Sequence, residues 1–296
     1  MLAMLISSLI QMMPILLAIA GGYLYAHFFT ANSKDLANIT TDLFVPAMIF
    51  HSISQSSLSI KAVGEVLASS SLIFILLIAA GWLWVRLIKE NPRSALPALA
   101  FMNSGFLGIP LMRLWGGNEA MNIIVIFDQV QGFFMFSIGI LIITGGFNKK
   151  SFISLFYSPI IWAMILGFGV NFSTITLPEP IINSLFFIGE AASPLACAAL
   201  GASIKETRFT FKKSLLGSLL FRFVGGYLIA LFTVSLLGIT GLTRTVILVA
   251  ASLPTAMFTS ILPLRYGQDN QYASMMVIIS TLLGIITIPL AFALAG

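Results

Sequence analysis

One hydrophobic stretch of the sequence, residues 102–110, contains an amide, two glycines and a proline where an uninterrupted membrane helix is expected. The Asn103 side chain offers hydrogen-bond donors and an acceptor, and the N-terminus of a half-helix carries free N–H donors with a partial positive charge, which suits a carboxylate. Unwound backbone at membrane depth survives only beside protein or a water-filled cavity. The stretch therefore predicts a broken helix at a substrate cavity, with the binding residues Asn103, Ser104, Gly105, Gly108 and Pro110.

A second interruption lies at residues 252–257, followed by another proline at Pro263. Matched interruptions in two halves of a chain point to the central site of a transporter, so we add Ser252, Pro254 and Thr255 to the predicted binding residues. Two plainer interpretations stay open. Asn103 can simply satisfy the break in which it lies, and small residues such as Gly105 and Gly108 are typical of close helix crossings.

Five ionisable residues fall within predicted membrane segments, where a charge costs roughly 2.5–3.5 kcal/mol. Each is expected to face the protein interior and either to pair with another group or to have a functional role. Asp42 and Glu190 stand four residues before a proline, and both suit either proton coupling or the bracing of a kink. His51 suits a proton relay or simple solvation near a helix end. Asp128 is a further candidate for proton or ion coupling, and it can also pair with Arg222, the fifth of these residues.

The composition indicates an integral membrane protein, because 58% of the 296 residues are hydrophobic and only 8% are charged. The net charge of +5 comes from scattered basic residues, which form no patch of the kind that nucleic-acid binding requires. Cys197 is the only cysteine, so neither an intramolecular disulfide nor a cysteine metal cluster is expected. The N-terminus lacks the basic region and cleavage site of a secretory signal, which indicates a retained helix.

Hydropathy and loop polarity predict an all-α polytopic protein with about ten transmembrane helices. Eleven of the 15 lysines and arginines lie in connections on one side, three lie on the other, and Arg222 lies inside a helix. The positive-inside rule then places both termini outside a cytoplasmic (inner) membrane. The predicted segments are 7–29, 37–57, 66–88, 95–115, 121–146, 151–171, 181–203, 212–237, 243–265 and 272–294.

The two halves of the chain share several features at a nearly constant offset. Asp42 with Pro46 is repeated 148 residues later by Glu190 with Pro194, and Pro14 is repeated 145 residues later by Pro159. Since each half has five predicted helices, the second half enters the membrane from the opposite side. The sequence therefore predicts two inverted five-helix repeats, residues 1–146 and 147–296, with the substrate at their interface.

Enzymatic function is not indicated. The sequence has no Gly-x-Ser-x-Gly elbow, no His-Glu-x-x-His site and no Walker loop. Two histidines and one cysteine do not make a usual zinc site. We therefore predict neither a catalytic residue nor a metal or other cofactor.

The elements Asn103-x-x-x-x-Gly108-Ile109-Pro110, Ser252-Leu253-Pro254 and Arg265-Tyr266-Gly267 resemble the auxin efflux carrier family in its bacterial form, over essentially the whole chain. The resemblance implies broken fourth and ninth helices that cross beside the substrate. It also implies small organic acid anions as substrates, carried by a crossover domain that moves against a scaffold domain as an elevator. The long loop of the plant members is missing here, which argues against auxin itself. Bile-acid and sodium symporters share the architecture.

These features together predict a secondary transporter, a permease or efflux carrier, for a small organic acid anion. The resemblance implies a mono- or dicarboxylate such as malate or malonate. Coupling to H⁺ or Na⁺, the direction of transport and the choice between a monomer and a homodimer stay open. A non-transporting ligand sensor or scaffold, a channel, and a sodium-coupled symporter of another anion are the alternatives.

Overall fold

The computed structural model describes residues 2–29, 31–55, 60–146, 149, 153, 156–173, 175–206 and 212–295. Within these residues the secondary structure is helical and contains no strand, and one isolated antiparallel bridge joins Met102 to Thr255. The helices are α1 (Leu2–Phe28), α2 (Ser33–Ser54), α3 (Ile60–Ile88), α4 (Pro92–Ala100), α5 (Ser104–Thr144), α6 (Pro159–Phe172), α7 (Glu179–Lys205), α8 (Lys213–Leu236), α9 (Gly241–Ala251), α10 (Phe258–Arg265) and α11 (Gln271–Ala295).

Six helices within the described residues are long and apolar enough to cross a membrane, namely α2, the part Gly64–Ile88 of α3, α5, α7, α8 and α11. Large apolar side chains such as Leu83, Phe187 and Phe232 are exposed on helix surfaces, as expected where lipid replaces water as the solvent. The prediction of an all-helical polytopic membrane protein is confirmed at this level. The count of ten passages and their arrangement as inverted repeats stay predictions.

The fourth and fifth predicted segments are divided differently in the structure. The fourth segment is split at residues 101–103, and its second part joins the fifth segment in the single long element α5. This element changes direction at Gly116 and Gly117, whose φ/ψ angles are not helical. Gly117 has a φ of 65°, which glycine adopts without the steric cost of a Cβ.

The start of α4 is defined by local residue chemistry. Asn91 caps the helix, because its side chain accepts a hydrogen bond of 3.1 Å from the Arg93 backbone N–H, and Pro92 occupies the first turn, where no N–H donor is needed. The helix ends at Ala100, after which Phe101 is extended with φ −112° and ψ 134°.

The helices pack in two groups. Helices α1, α2, α6 and α7 contact one another most extensively, and α3, α4, α5, α8, α9, α10 and α11 form the other group. Glycines permit the close contacts of the first group: a Cβ on Gly201 of α7 would lie 2.0 Å from the Ile19 carbonyl oxygen of α1, and one on Gly189 would lie 2.7 Å from Cα of Met48 in α2. The cavities described below lie between the two groups.

Candidate functional site

The two unwound segments pair with each other. The Asn103 N–H donates to the Pro254 carbonyl oxygen over 2.8 Å, and the Ala256 N–H donates to the Phe101 carbonyl oxygen over 3.0 Å. These bonds replace those that a continuous helix would make, which matters because an unsatisfied backbone group inside a membrane costs several kcal/mol. The break after α4 and the break after α9 thus stabilise each other at a crossing point. We call residues 101–103 the first break and residues 252–257 the second break.

Gln131 of α5 holds the first break in place. Its Oε1 accepts from the Met102 N–H over 2.9 Å, and its Nε2 donates to the Met102 carbonyl oxygen over 2.7 Å and to Ser104 Oγ over 2.8 Å. The Gln131 side chain is only 3% exposed. A single buried amide therefore satisfies both polar groups of one unwound residue.

Asp128 lies one helical turn before Gln131 and contacts the same segment. Its Oδ1 accepts a hydrogen bond of 2.6 Å from Ser104 Oγ. A Cβ on Gly105 would lie 3.2 Å from both carboxylate oxygens of Asp128, so the glycine allows the carboxylate to approach the backbone closely. Of the predicted coupling residues, Asp128 is therefore the one that the structure brings to the crossing.

A cavity of about 220 Å³, the central cavity, lies against this crossing. Asn103 lines it, is 4% exposed, and makes no side-chain hydrogen bond with the described residues. Its amide keeps its full hydrogen-bonding capacity toward the cavity. The other polar lining residues are Ser52, Asp128, Gln129 and Gln131, and the remaining ones include Gly105, Gly132, Phe106, Met164, Ala256, Met257 and Phe258.

A larger cavity of about 510 Å³, the vestibule, adjoins the central cavity. Met48, Ser52 and Phe106 line both. Because the two cavities share these side chains, they lie next to each other, with Phe106 on the wall of both. The polar side chains of the vestibule are His51, Ser52, Gln55, Asn122, Glu190 and Ser193.

The polar groups of the second break bond to the protein instead. The Thr255 N–H donates to Ser280 Oγ over 3.0 Å, and Thr255 Oγ1 donates to the Ala98 carbonyl oxygen over 3.1 Å. Ser252 Oγ donates to the Leu248 carbonyl oxygen of its own helix over 2.9 Å. Both Ser252 and Thr255 are buried, and neither lines the central cavity, nor does Pro254.

Three other predicted binding residues also lie outside the cavity lining. Ser104 is buried beneath it with its hydroxyl on Asp128. Gly108 packs where a Cβ would meet Ile124 Cδ1 at 2.6 Å, which shows that this glycine serves close packing. Pro110 is exposed in the first turn of the helical segment that follows. Of the eight predicted binding residues, Asn103 and Gly105 line the central cavity.

The remaining predicted coupling residues lie away from the crossing. Asp42 is partly exposed and forms an ion pair of 2.9 Å with Nε of Arg265. His51 and Glu190 line the vestibule, where the His51 ring lies 5.2 Å from the Phe186 ring between centroids.

Arg222 does not pair with Asp128, which corrects the pairing considered from the sequence. Its guanidinium donates instead to the backbone carbonyl oxygens of Leu99 and Ala251. Sequence reasoning had also given no role to Gln131 or to Ser280. The spacing of Asp128 and Gln131, which lie three residues apart and therefore on one helix face, was a usable signal for Gln131, whereas nothing in the sequence pointed to Ser280.

Comparison with known proteins agrees with the apolar, helical character of the chain. The family model described as "Membrane transport protein" matches residues 7–150 and 144–292. The chain belongs to this family, which is the auxin efflux carrier family that its motifs resemble. The protein is thus a multi-pass membrane transporter, and family membership implies a permease rather than an enzyme.

Two archaeal relatives are similar over most of their length. The chain is 27% identical over 270 residues, 88% of each chain, to an uncharacterized transporter of Methanothermobacter thermautotrophicus. It is also 27% identical over 278 residues, again 88% of each chain, to an uncharacterized transporter of Methanocaldococcus jannaschii.

Proposed function

We propose that this protein is a secondary transporter that moves a small organic acid anion, a mono- or dicarboxylate, across the cytoplasmic membrane. The observation that carries this proposal is the side chain of Asn103, a buried amide with no partner among the described residues, which faces a cavity at a helix break. A buried polar group is normally hydrogen-bonded. An anion's carboxylate oxygen is a suitable acceptor for the Asn103 Nδ2–H.

The restarting helix favours an anion at the same place. Residues Ser104–Gly108 begin α5 beside the cavity, and the first turn of a helix carries a partial positive charge with unpaired N–H groups. The cavity of about 220 Å³ is mostly apolar away from these groups. This combination suits a short-chain carboxylate rather than a bulky or multiply hydroxylated solute.

Asp128 is the proposed coupling residue. Its carboxylate and the anion would share one small cavity, where two like charges repel strongly because the local dielectric constant is low. Protonation of Asp128 removes this repulsion. The anion and one proton therefore bind together, which makes the transporter a proton–anion symporter.

Alternating access would use the two helix groups. The group of α1, α2, α6 and α7 serves as the scaffold, and the other group carries the crossing past it as an elevator. We further propose that the chain crosses the membrane ten times as two inverted repeats, residues 1–146 and 147–296, with both termini outside. In this orientation the vestibule opens to the outer side.

Counterflow in proteoliposomes tests the function. Vesicles are loaded with an unlabelled dicarboxylate mixture, trace labelled malate is added outside, and the wild type is compared with Asn103→Ala. We expect transient accumulation of label by the wild type and a loss of about 100-fold in the variant, because the substrate's principal donor is removed. Asn183→Ala is the matched control, since Asn183 is exposed on α7 outside both cavities.

The outcomes separate the alternatives. Near-normal counterflow by Asn103→Ala removes this residue from the site. Binding of organic acids without flux by the folded wild type favours the sensor, and flux that neither saturates nor shows counterflow favours a channel.

A further inference from the structure

Arg222 is the largest fully buried side chain of the described residues, and the proposed anion site does not use it. It lies on α8 within the turn Phe221–Gly225. Its Nη1 donates to the Leu99 carbonyl oxygen in the last turn of α4, and its Nη2 donates to the carbonyl oxygen of Ala251, the last residue of α9. One guanidinium thus joins the C-terminal ends of the two half-helices that precede the breaks.

Both carbonyl groups lose their usual donors because of the breaks. In a continuous helix the Leu99 carbonyl would accept from the Asn103 N–H four residues later, but that N–H donates to Pro254. The Ala251 carbonyl would accept from the Thr255 N–H in the same way, but that N–H donates to Ser280. Arg222 therefore satisfies equivalent carbonyl groups on the two sides of the crossing.

The charge of Arg222 is balanced by these helix ends. The ion pairs found among the described residues are Lys212 with Glu90 and Arg265 with Asp42, so no described carboxylate pairs with Arg222. The C-terminus of a helix carries about half a negative charge, and two such ends meet this guanidinium. Gly226 leaves room for the contact between Arg222 and Ala251, since a Cβ there would lie 2.5 Å from Nη2 of Arg222 and 2.4 Å from the Ala251 carbonyl oxygen.

In transporters built on broken helices, half-helix C-terminal ends and unwound carbonyls commonly coordinate the co-transported cation. We propose that Arg222 is the resident cation of this crossing: it takes the place of a bound metal ion at the Leu99 and Ala251 carbonyls, so that the protein requires no sodium. Arg222 is a positioning residue, because it acts on the anion by holding the half-helices. This inference rests on the proposed function only for its consequence for transport.

The first test needs no substrate. The purified protein is heated in detergent in NaCl, KCl or choline chloride at equal ionic strength, and unfolding is followed by the reaction of buried Cys197 with a thiol-reactive dye. For the wild type we expect the same midpoint in all three salts, within about 1 °C, because a ligand that does not bind the native state does not stabilise it. A NaCl-specific rise of several degrees in the wild type would overturn the proposal.

Arg222→Ala should lower the midpoint and, unlike the wild type, should be stabilised by NaCl or KCl relative to choline chloride, because the vacated carbonyls can accept a small cation. Arg222→Lys keeps the charge. Its unfolding midpoint should lie between those of the wild type and Arg222→Ala and should be the same with each cation. The matched control is Arg244→Ala, because Arg244 donates to a single helix-end carbonyl, that of Ala295, over 2.9 Å. A loss in Arg222→Ala that is the same in every salt contradicts the proposal.

If Arg222→Ala does not fold, the wild type and Arg222→Lys still decide the matter. Malate counterflow by the wild type is then measured with sodium replaced by choline. Unchanged counterflow supports the proposal, and counterflow that requires sodium overturns it while leaving the transporter function intact. Conversely, the absence of counterflow with every member of a panel of mono- and dicarboxylates removes the proposed function and leaves the salt dependence of unfolding as the test of Arg222.

Discussion

The two breaks pair with each other at one crossing but present different groups to the central cavity. At the first break Asn103 lines the cavity, followed by Gly105 at the start of α5, and the side-chain amide of Asn103 has no partner among the described residues. At the second break the hydroxyls of Ser252 and Thr255 bond to backbone carbonyls, and the cavity wall comes from Ala256 and Met257 together with Phe258, the first residue of α10. The first break is therefore suited to bind a polar group. The second provides an apolar wall and hydrogen bonds that hold neighbouring helices together.

This difference shows that two breaks joined at one crossing need not have the same role. Both breaks need partners for their exposed backbone groups, and each obtains them from a different source. Gln131 supplies the first break from a side chain of α5, whereas the second break uses its own hydroxyl groups and Ser280. A hydroxyl already used for structure is not available to a substrate.

The largest effect is expected from Gln131→Leu. The change leaves the Met102 N–H buried without a partner and leaves the Met102 carbonyl oxygen with the Ser104 N–H as its donor, so we expect a loss of about 3 kcal/mol in the free energy of unfolding together with the loss of malate counterflow. Dye labelling of Cys197 during heating measures the stability. Gln129→Leu is the matched control, because Gln129 makes one side-chain bond, to Ser52 Oγ over 2.7 Å. Equal losses in the two variants would show that the first break does not depend on Gln131.

Asp128→Asn should separate transport from coupling at the first break. The asparagine Oδ1 can still accept from Ser104 Oγ, so the fold is retained, but the proton site is lost. We expect the stimulation of malate uptake by an imposed pH gradient to fall about tenfold. Uptake with and without a protonophore measures it, with Glu190→Gln of the vestibule as the control. A variant that responds to the gradient like the wild type would exclude Asp128 as the coupling residue.

Thr255→Val tests the structural role assigned to the second break. The variant loses the hydrogen bond to the Ala98 carbonyl oxygen, and we expect a loss of about 1 kcal/mol in the free energy of unfolding with an unchanged KM for malate. Thermal unfolding and saturation kinetics measure the two quantities. A raised KM at unchanged stability would place this hydroxyl at the substrate and make the two breaks equivalent.

Ser252→Ala should have the smallest effect. Its hydroxyl bonds only within its own helix, and removal of such a bond usually changes stability by less than about 0.5 kcal/mol. Malate counterflow and the midpoint of unfolding are both expected to match the wild type. A loss of transport by this variant would contradict the separation of roles between the breaks.

Much of the fold was accessible from the sequence because its signals are local. Long apolar segments predict membrane helices from their composition, and proline and glycine in the runs around Asn103 and Pro254 predict interruptions from backbone chemistry. The importance of Asn103 followed from the same reasoning, as an amide at such an interruption. The merging of the fourth and fifth segments in α5 was not foreseen, because Gly116 and Gly117 allow a change of direction without a loop.

By itself the sequence determined that this chain is an all-helical membrane protein with two interrupted helices and a polar group at the first interruption. Only the tertiary structure decided which polar groups bond to the protein and which face the cavity. Arg222 meets the Leu99 carbonyl across 123 positions of the chain and the Ala251 carbonyl across 29. Local patterns define which backbone groups lose their helical partners, but the groups that replace them come from distant helices, and packing alone brings those together.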